Sequence, residues 1–152
     1  MNKKVIDLLN AARARELSAI LQYLQQHYEL ADQGYGKLAT KVKAVGIQEM
    51  KHAEAFAERV LFLGGVPTTK PDAEITKGQK IPEMLKTDMA LEAQAMKMYN
   101  ESSGVCEQEK DQVSKDLFEK ILKEEEDHFN YFDTTKDHVD KLGAAYIATL
   151  TD

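Results

Sequence analysis

The sequence predicts an all-α fold: an antiparallel four-helix bundle with one long crossover between helices 2 and 3 and a short fifth helix at the C-terminus. Three observations carry that reading. The composition is rich in Ala, Leu, Lys, Glu and Gln, with only three prolines and eight glycines in 152 residues, which favours helix nearly throughout. Apolar side chains recur at spacings of three and four over four long stretches. A single long segment of turn formers separates the second stretch from the third. With 43% apolar residues, the chain suits one domain, 1–152, large enough for a real core.

Helix 1 is expected over 3–33, with an inward stripe at Leu9, Ala12, Ala19, Ile20, Tyr23 and His27 or Leu30. One polar residue, Glu16, stands in the gap of that stripe. Gly34-Tyr35-Gly36 ends the helix, glycine being the usual terminator. Helix 2, over 37–63, carries Val42, Val45, Glu49, His52, Phe56, Val60 and Leu63, and Gly64-Gly65-Val66-Pro67 stops it. So short a break makes the first two helices an antiparallel hairpin. Pro67, Thr68, Thr69, Pro71, Asp72 and Gly78 mark the crossover from Gly65 to Ile81. A loop of that length running along a bundle makes helices 2 and 3 parallel. Helix 3, over 82–109, opens on Pro82 and Glu83, as suits a first turn at the positive end of a helix. Its inward positions are Leu85, Asp88, Glu92, Ala95 and Tyr99, with Gly104 a weak point and a possible bend. Asp111 is the expected N-cap of helix 4, over 112–141, whose stripe is Ser114, Phe118, Ile121, Glu125, His128 and Phe132. Gly143 ends it, and a fifth helix is expected over 144–150.

Composition excludes several classes. A net charge of −6 argues against a general nucleic-acid binder, which shows a basic face. One cysteine, Cys106, rules out an intrachain disulfide and any Cys-based zinc or iron–sulfur site. No apolar run follows Met1-Asn2-Lys3-Lys4-Val5, and none approaches the length that spans a bilayer, so the expectation is a cytoplasmic protein without a membrane partner.

Function is written in an internal repeat. Each half of the chain holds a lone Glu on an apolar stripe and, 33 residues later, a Glu-x-x-His. The first set is Glu16, then Glu49 and His52; the second is Glu92, then Glu125 and His128. The offset between halves is 76 residues at all three positions, the mark of two repeated helical hairpins. Four carboxylates buried together would repel one another and be driven towards protonation. Two divalent cations cancel four negative charges, and the imidazoles add one neutral nitrogen ligand to each. Glu and His at i and i+3 share a helix face, so one helix presents both. A Glu from each of two helices with Glu-x-x-His from the other two is the ligand set of ferritin-like di-iron or di-manganese proteins. Glu54, Glu124, Glu126 and Asp127 fall off the stripes and read as solvated charge.

At these residues the chain resembles a bacterioferritin over essentially its whole length. The local matches are Glu49-Met50-Lys51-His52-Ala53-Glu54, the run Glu58 to Pro67, Met84 to Glu92, and Ile121 to His128. The resemblance implies a ferroxidase that oxidises Fe(II) to Fe(III) with O₂ or hydrogen peroxide at an intrasubunit di-iron centre. It further implies storage of ferric mineral in a 24-subunit homo-oligomeric cage built from two-fold dimers, with a ferredoxin-type reductant for release. The implied iron ligands are Glu16, Glu49, His52, Glu92, Glu125 and His128, with Glu49 and Glu125 bridging. Met50, about 100° round the helix from Glu49, is implied as axial ligand of a haem (heme b or a related iron porphyrin) shared between two subunits. Leu17, Leu21, Leu24 and Ile47 are implied as its apolar walls, and Tyr23 as an electron donor beside the di-iron centre. Two positions depart from the pattern of some members. Ala44 and Gln48 stand where an extra inner-wall iron site has His and Asp, and Tyr131 stands where a tryptophan follows the last ligand.

His27, His138 and Cys106 read as ordinary structural residues. A rubrerythrin-type di-iron peroxidase is the alternative function, and the lone cysteine argues against its usual rubredoxin module. A DNA-shielding mini-ferritin would place its ligands across a subunit interface. A metal-free structural bundle would leave four glutamates uncompensated.

Overall fold

The computed structural model describes residues 2–152. Four long helices, α1 (Lys3–Asp32), α2 (Gly36–Phe62), α3 (Ile81–Gln108) and α4 (Gln112–Leu142), precede a short α5 (Ala144–Ala148). Among the described residues there is no strand, and no helix is long and apolar enough to cross a membrane. The main packing is α1 on α2 and α3 on α4; the two hairpins meet through α1 against α3 and α2 against α4.

Helix ends follow local chemistry. Asn2 and Asp111 accept bonds from the backbone N–H of Val5 and Ser114, relieving donors that no helix satisfies internally. Gly34 lies at φ +88° and Lys110, its counterpart in the second hairpin, at φ +60°. The N–H of the residue after each, Tyr35 and Asp111, bonds back to Leu30 and Cys106 at 2.9 Å, closing both helices in the same way. Helix α2 has no side-chain cap. The carbonyl of Leu150 accepts from Lys37 N and Leu38 N instead, so the C-terminal segment caps α2. The fifth helix stops at Ala148 rather than reaching 150, and Thr149 and Leu150 continue it as a tighter turn, their N–H groups bonding the carbonyls of Tyr146 and Ile147.

The crossover is strapped along α1. Asn10 bonds Val66 and Thr68, Arg13 bonds Thr68, Ser18 bonds Asp72 and Ala73, Gln22 bonds Thr76 in both directions, and Glu29 accepts from Gly78. The strap buries Ser18 and Gln22, which the apolar stripe does not include, while Ile20 and His27 are only partly buried and Leu30 continues the core. Gly104 causes no break, since α3 runs through it to Gln108. A Cβ there meets nothing within 4 Å, so Gly104→Ala is expected to stabilise the protein by about 1 kcal/mol, read by chemical denaturation.

The apolar core is in two parts. One holds Tyr23, Val42, Val45, Leu85 and Phe132; the other holds Leu9, Phe56, Val60, Tyr99 and Phe118. Along each of the four helices the polar residues of the motif fall between these two parts. The bundle therefore encloses a polar layer in its middle.

Candidate metal centre

All six residues singled out by the repeat are buried in that layer. They form two groups, Glu16, Glu49, His52, Glu125 and Glu49, Glu92, Glu125, His128, each with its ligand-type atoms within 4.8 Å of one another. Glu49 and Glu125 belong to both. His52 Nδ1 lies 3.1 Å from Glu49 Oε1 and 3.3 Å from Glu125 Oε1. His128 Nδ1 lies 3.1 Å from Glu125 Oε1 and 3.4 Å from Glu49 Oε1. The hairpin repeat thus becomes a pseudo-two-fold relation between the groups.

Outer partners obey the same relation. Tyr23 donates its hydroxyl to Glu92 Oε1 at 2.5 Å, and Tyr99 donates to Glu16 Oε1 at 2.5 Å. His52 Nε2 contacts Glu124, and His128 Nε2 pairs with Gln48 Oε1 at 2.6 Å. Tyr99 is 76 residues from Tyr23, and Glu124 is 76 from Gln48; the offset that picks out the six candidate ligands also reaches the residues that contact them. Glu124, expected as solvated charge, instead orients an imidazole through its far nitrogen, as supports of metal-binding histidines do. It lies one residue off the stripe, and its neighbour across the interface, not its own helix, decides its role.

Burial has consequences for charge. Glu16 is pushed up to about 7 by burial and by the charge of Glu49, with Arg15 and His52 opposing. Glu125 is raised well above the usual carboxylate range by burial and by Glu16 and Glu49. Burial also works against ionised Glu49, but Arg15 and both imidazoles outweigh it and hold that carboxyl low. For His128 burial favours the neutral ring, yet Glu125, Glu49 and Glu92 together raise it to about 12; His52 is raised for the same reasons. Without metal, both rings keep their protons, and a metal taking Nδ1 displaces them.

Five atoms of the layer, Glu49 Oε1, Glu125 Oε1, Glu92 Oε2, His52 Nδ1 and His128 Nδ1, are buried with no hydrogen-bond partner among the described residues. Each orphaned buried polar group is costly. Carboxylate oxygens and imidazole nitrogens turned to one place are the donor set of a divalent transition metal, so the residues fit one. Two surface clefts lead towards the imidazoles. One, of about 470 Å³, is lined by residues including Ala44, Gln48, Lys51, His52 and Glu124. A smaller one, of about 160 Å³, is lined by residues including Lys41, Gln48, Asp127, His128 and Tyr131.

The sequence reading did not include Arg15. Its side chain is fully buried, with Nη1 at 2.6 Å from both Glu49 Oε2 and Glu125 Oε2 and 3.3 Å from Glu16 Oε2. Nη2 donates to the Leu91 carbonyl at 2.9 Å and lies 3.6 Å from Glu92 Oε1. With its glutamates ionised and its imidazoles neutral, the layer therefore holds three net negative charges, not the four that the sequence count gives. Arg15 precedes Glu16 by one and so starts off the stripe; only its length brings the guanidinium in.

Met50 is exposed on the outer surface of α2 together with Ile47, one turn before it, and Leu21 is exposed on α1. Leu17 and Leu24 are partly buried. Tyr131 packs on Phe132 and under the Lys41 ammonium. His27 pairs with the Ala39 carbonyl, His138 packs on Tyr146, and Cys106 is buried.

Comparison with known proteins agrees with this geometry. The sequence profile of the ferritin family, described as a ferritin-like domain, matches residues 6–142. A bacterioferritin of Desulfovibrio desulfuricans is 43% identical over 147 residues, covering 97% of this chain and 82% of that protein. One from Brucella melitensis is 37% identical over 92% of this chain and 87% of that protein. The crystal structure of the D. desulfuricans bacterioferritin, described for its di-iron site in different catalytic states, superimposes with a TM-score of 0.96 at 42% identity, covering 97% and 86% of the two chains. The Mycobacterium tuberculosis bacterioferritin does so with a TM-score of 0.96 at 31% identity, covering 100% and 96%. The fold, the paired ligand groups and these near end-to-end matches together place the chain in the ferritin-like family, as a bacterioferritin.

Proposed function

We propose that this chain is a ferroxidase and iron store that oxidises Fe(II) to Fe(III) between its four helices and keeps the product as ferric mineral. The observation that carries this reading is the convergence of five orphaned ligand atoms between two groups that share Glu49 and Glu125. Iron bound there supplies the redox chemistry: two Fe(II) give up two electrons, which with two protons reduce O₂ to hydrogen peroxide, or peroxide to two waters. The chain's own residues do the rest. Glu16, Glu49 and Glu125 with His52 hold one ion, and Glu49, Glu92 and Glu125 with His128 hold the other. Tyr23 and Tyr99 fix the two terminal carboxylates by hydrogen bonds, and Tyr23 is also assigned as electron donor. Gln48 and Glu124 set the rings. The two apolar half-cores on either side keep bulk water from the layer, which strengthens each of these contacts.

The storage form is a 24-subunit cage assembled from two-fold dimers, with a ferredoxin-type reductant for release. Met50, an exposed thioether on α2 one turn from the exposed Ile47, would hold a haem between two subunits, a role open to thioether sulfur. Met50→Leu is expected to abolish the Soret band of the haem-reconstituted protein; an unchanged band would remove Met50 as ligand. Storage itself is tested by adding Fe(II) anaerobically to purified protein, admitting O₂, and following absorbance and size-exclusion elution. Mineral growth in a large oligomer is expected, and uptake capped at two irons per chain in a small oligomer would overturn the storage reading.

A further inference from the structure

We propose that Arg15 is a resident counter-cation that makes the two metal-binding steps unequal, so that the site takes a first divalent cation tightly and a second one weakly. The inference rests on the two-metal reading above and concerns a residue outside the repeat.

The geometry singles out the shared carboxylates. Arg15 Nη1 sits 2.6 Å from one oxygen of Glu49 and 2.6 Å from one oxygen of Glu125. The other oxygen of each, Oε1, has no hydrogen-bond partner and faces the two imidazole Nδ1 atoms. A carboxylate that bridges two metals gives one oxygen to each. Here one oxygen of both bridges is free and the other is already held by a guanidinium. A first cation finds free oxygens; a second must compete with Arg15 for the same atoms.

Charge points the same way. With its glutamates ionised and its imidazoles neutral, as metal ligation requires, the layer is three units negative, since the guanidinium is a permanent cation. One divalent ion leaves it one unit negative, and a second turns it positive inside a buried layer, where unpaired charge is expensive. Without Arg15 the same two ions would bring four negative charges to neutrality. Nothing mirrors this charge in the other hairpin: the residue 76 positions on is Leu91, whose carbonyl accepts from Arg15 Nη2. Tyr23 and Gln48 have counterparts in Tyr99 and Glu124, whereas Arg15 has none and lies 2.6 Å from both shared carboxylates, so its charge bears on whichever ion arrives second. Its Nε is also buried without a partner, a cost the site carries to keep the cation in place.

The test uses Zn(II), which is redox-inert, so that binding is read without turnover. Isothermal titration of the metal-free oligomer is expected to give two equivalents per chain, the second at least about tenfold weaker, as a unit charge at contact distance implies. Arg15→Met, neutral and of similar reach, is expected to bring the two affinities within about threefold of each other. The same change should lower the melting temperature of the metal-free protein and not that of the Zn(II)-loaded one, a split that a purely structural residue would not produce. Arg15→Lys keeps the charge and should keep the two steps apart. Equal steps in the unchanged protein, or an unaltered separation in Arg15→Met, would overturn the inference. If Arg15→Met does not fold without metal, Arg15→Gln is titrated in its place with the same two outcomes. Absence of Zn(II) binding in every protein would instead remove the two-metal reading itself.

Discussion

Glu125→Gln is expected to slow Fe(II) oxidation by at least about 100-fold while leaving the metal-free protein as stable as before. Loss of a group that merely supports a ligand costs roughly 10–100-fold in metal affinity or activity, and Glu125 belongs to both ligand groups. An amide keeps the shape but offers one weak neutral donor where the proposed centre needs two anionic oxygens. The stability half of the expectation has the opposite origin. Glu125 is fully buried, and burial together with Glu16 and Glu49 makes its ionised form unfavourable. Replacing it with a neutral isostere removes repulsion that the nearby Arg15 guanidinium offsets only in part and a bound cation offsets further. Stopped-flow absorbance gives the rate and thermal melting gives the stability. A variant that melts well below the parent and oxidises iron at a normal rate would reverse both expectations.

Phe56→Ala is expected to cost about 3–5 kcal/mol, the range for truncating a buried aromatic. Phe56 is fully buried and packs on Tyr99 and Phe118, with ring centroids 5.5 and 5.4 Å away. Chemical denaturation of the metal-free protein at fixed concentration reads that cost, since assembly contributes to apparent stability. A second effect separates this site from an ordinary core position. Tyr99 holds Glu16, so loosening its packing should also weaken Zn(II) binding. The cavity and the ligand group are coupled through one hydroxyl. A loss below about 1 kcal/mol would mean that the half-core repacks around the gap.

Much of this arrangement is legible in the residues themselves. The glycine pairs and the turn-rich crossover mark the helices to within a residue or two, and the 76-residue offset finds all six candidate ligands because a repeated hairpin must repeat its inward positions. The same offset extends to Tyr23 with Tyr99 and to Gln48 with Glu124, where the sequence reading stopped short. What periodicity does not reveal depends on reach and on other segments. Arg15 starts off the stripe and arrives by length. Ser18 and Gln22 are buried by a loop whose path no helical pattern encodes. Helix α2 shows no cap in its own residues because Leu150, far along the chain, supplies it.

Where iron goes is the most direct test of a two-metal centre inside the bundle. Crystals of the protein saturated with Fe(II) under anaerobic conditions, measured at the iron absorption edge, should show two anomalous peaks inside each bundle. One should lie among Glu16, Glu49, His52 and Glu125, the other among Glu49, Glu92, Glu125 and His128, at positions related by the hairpin repeat. A bundle interior without iron, with peaks only on the surface, would contradict it.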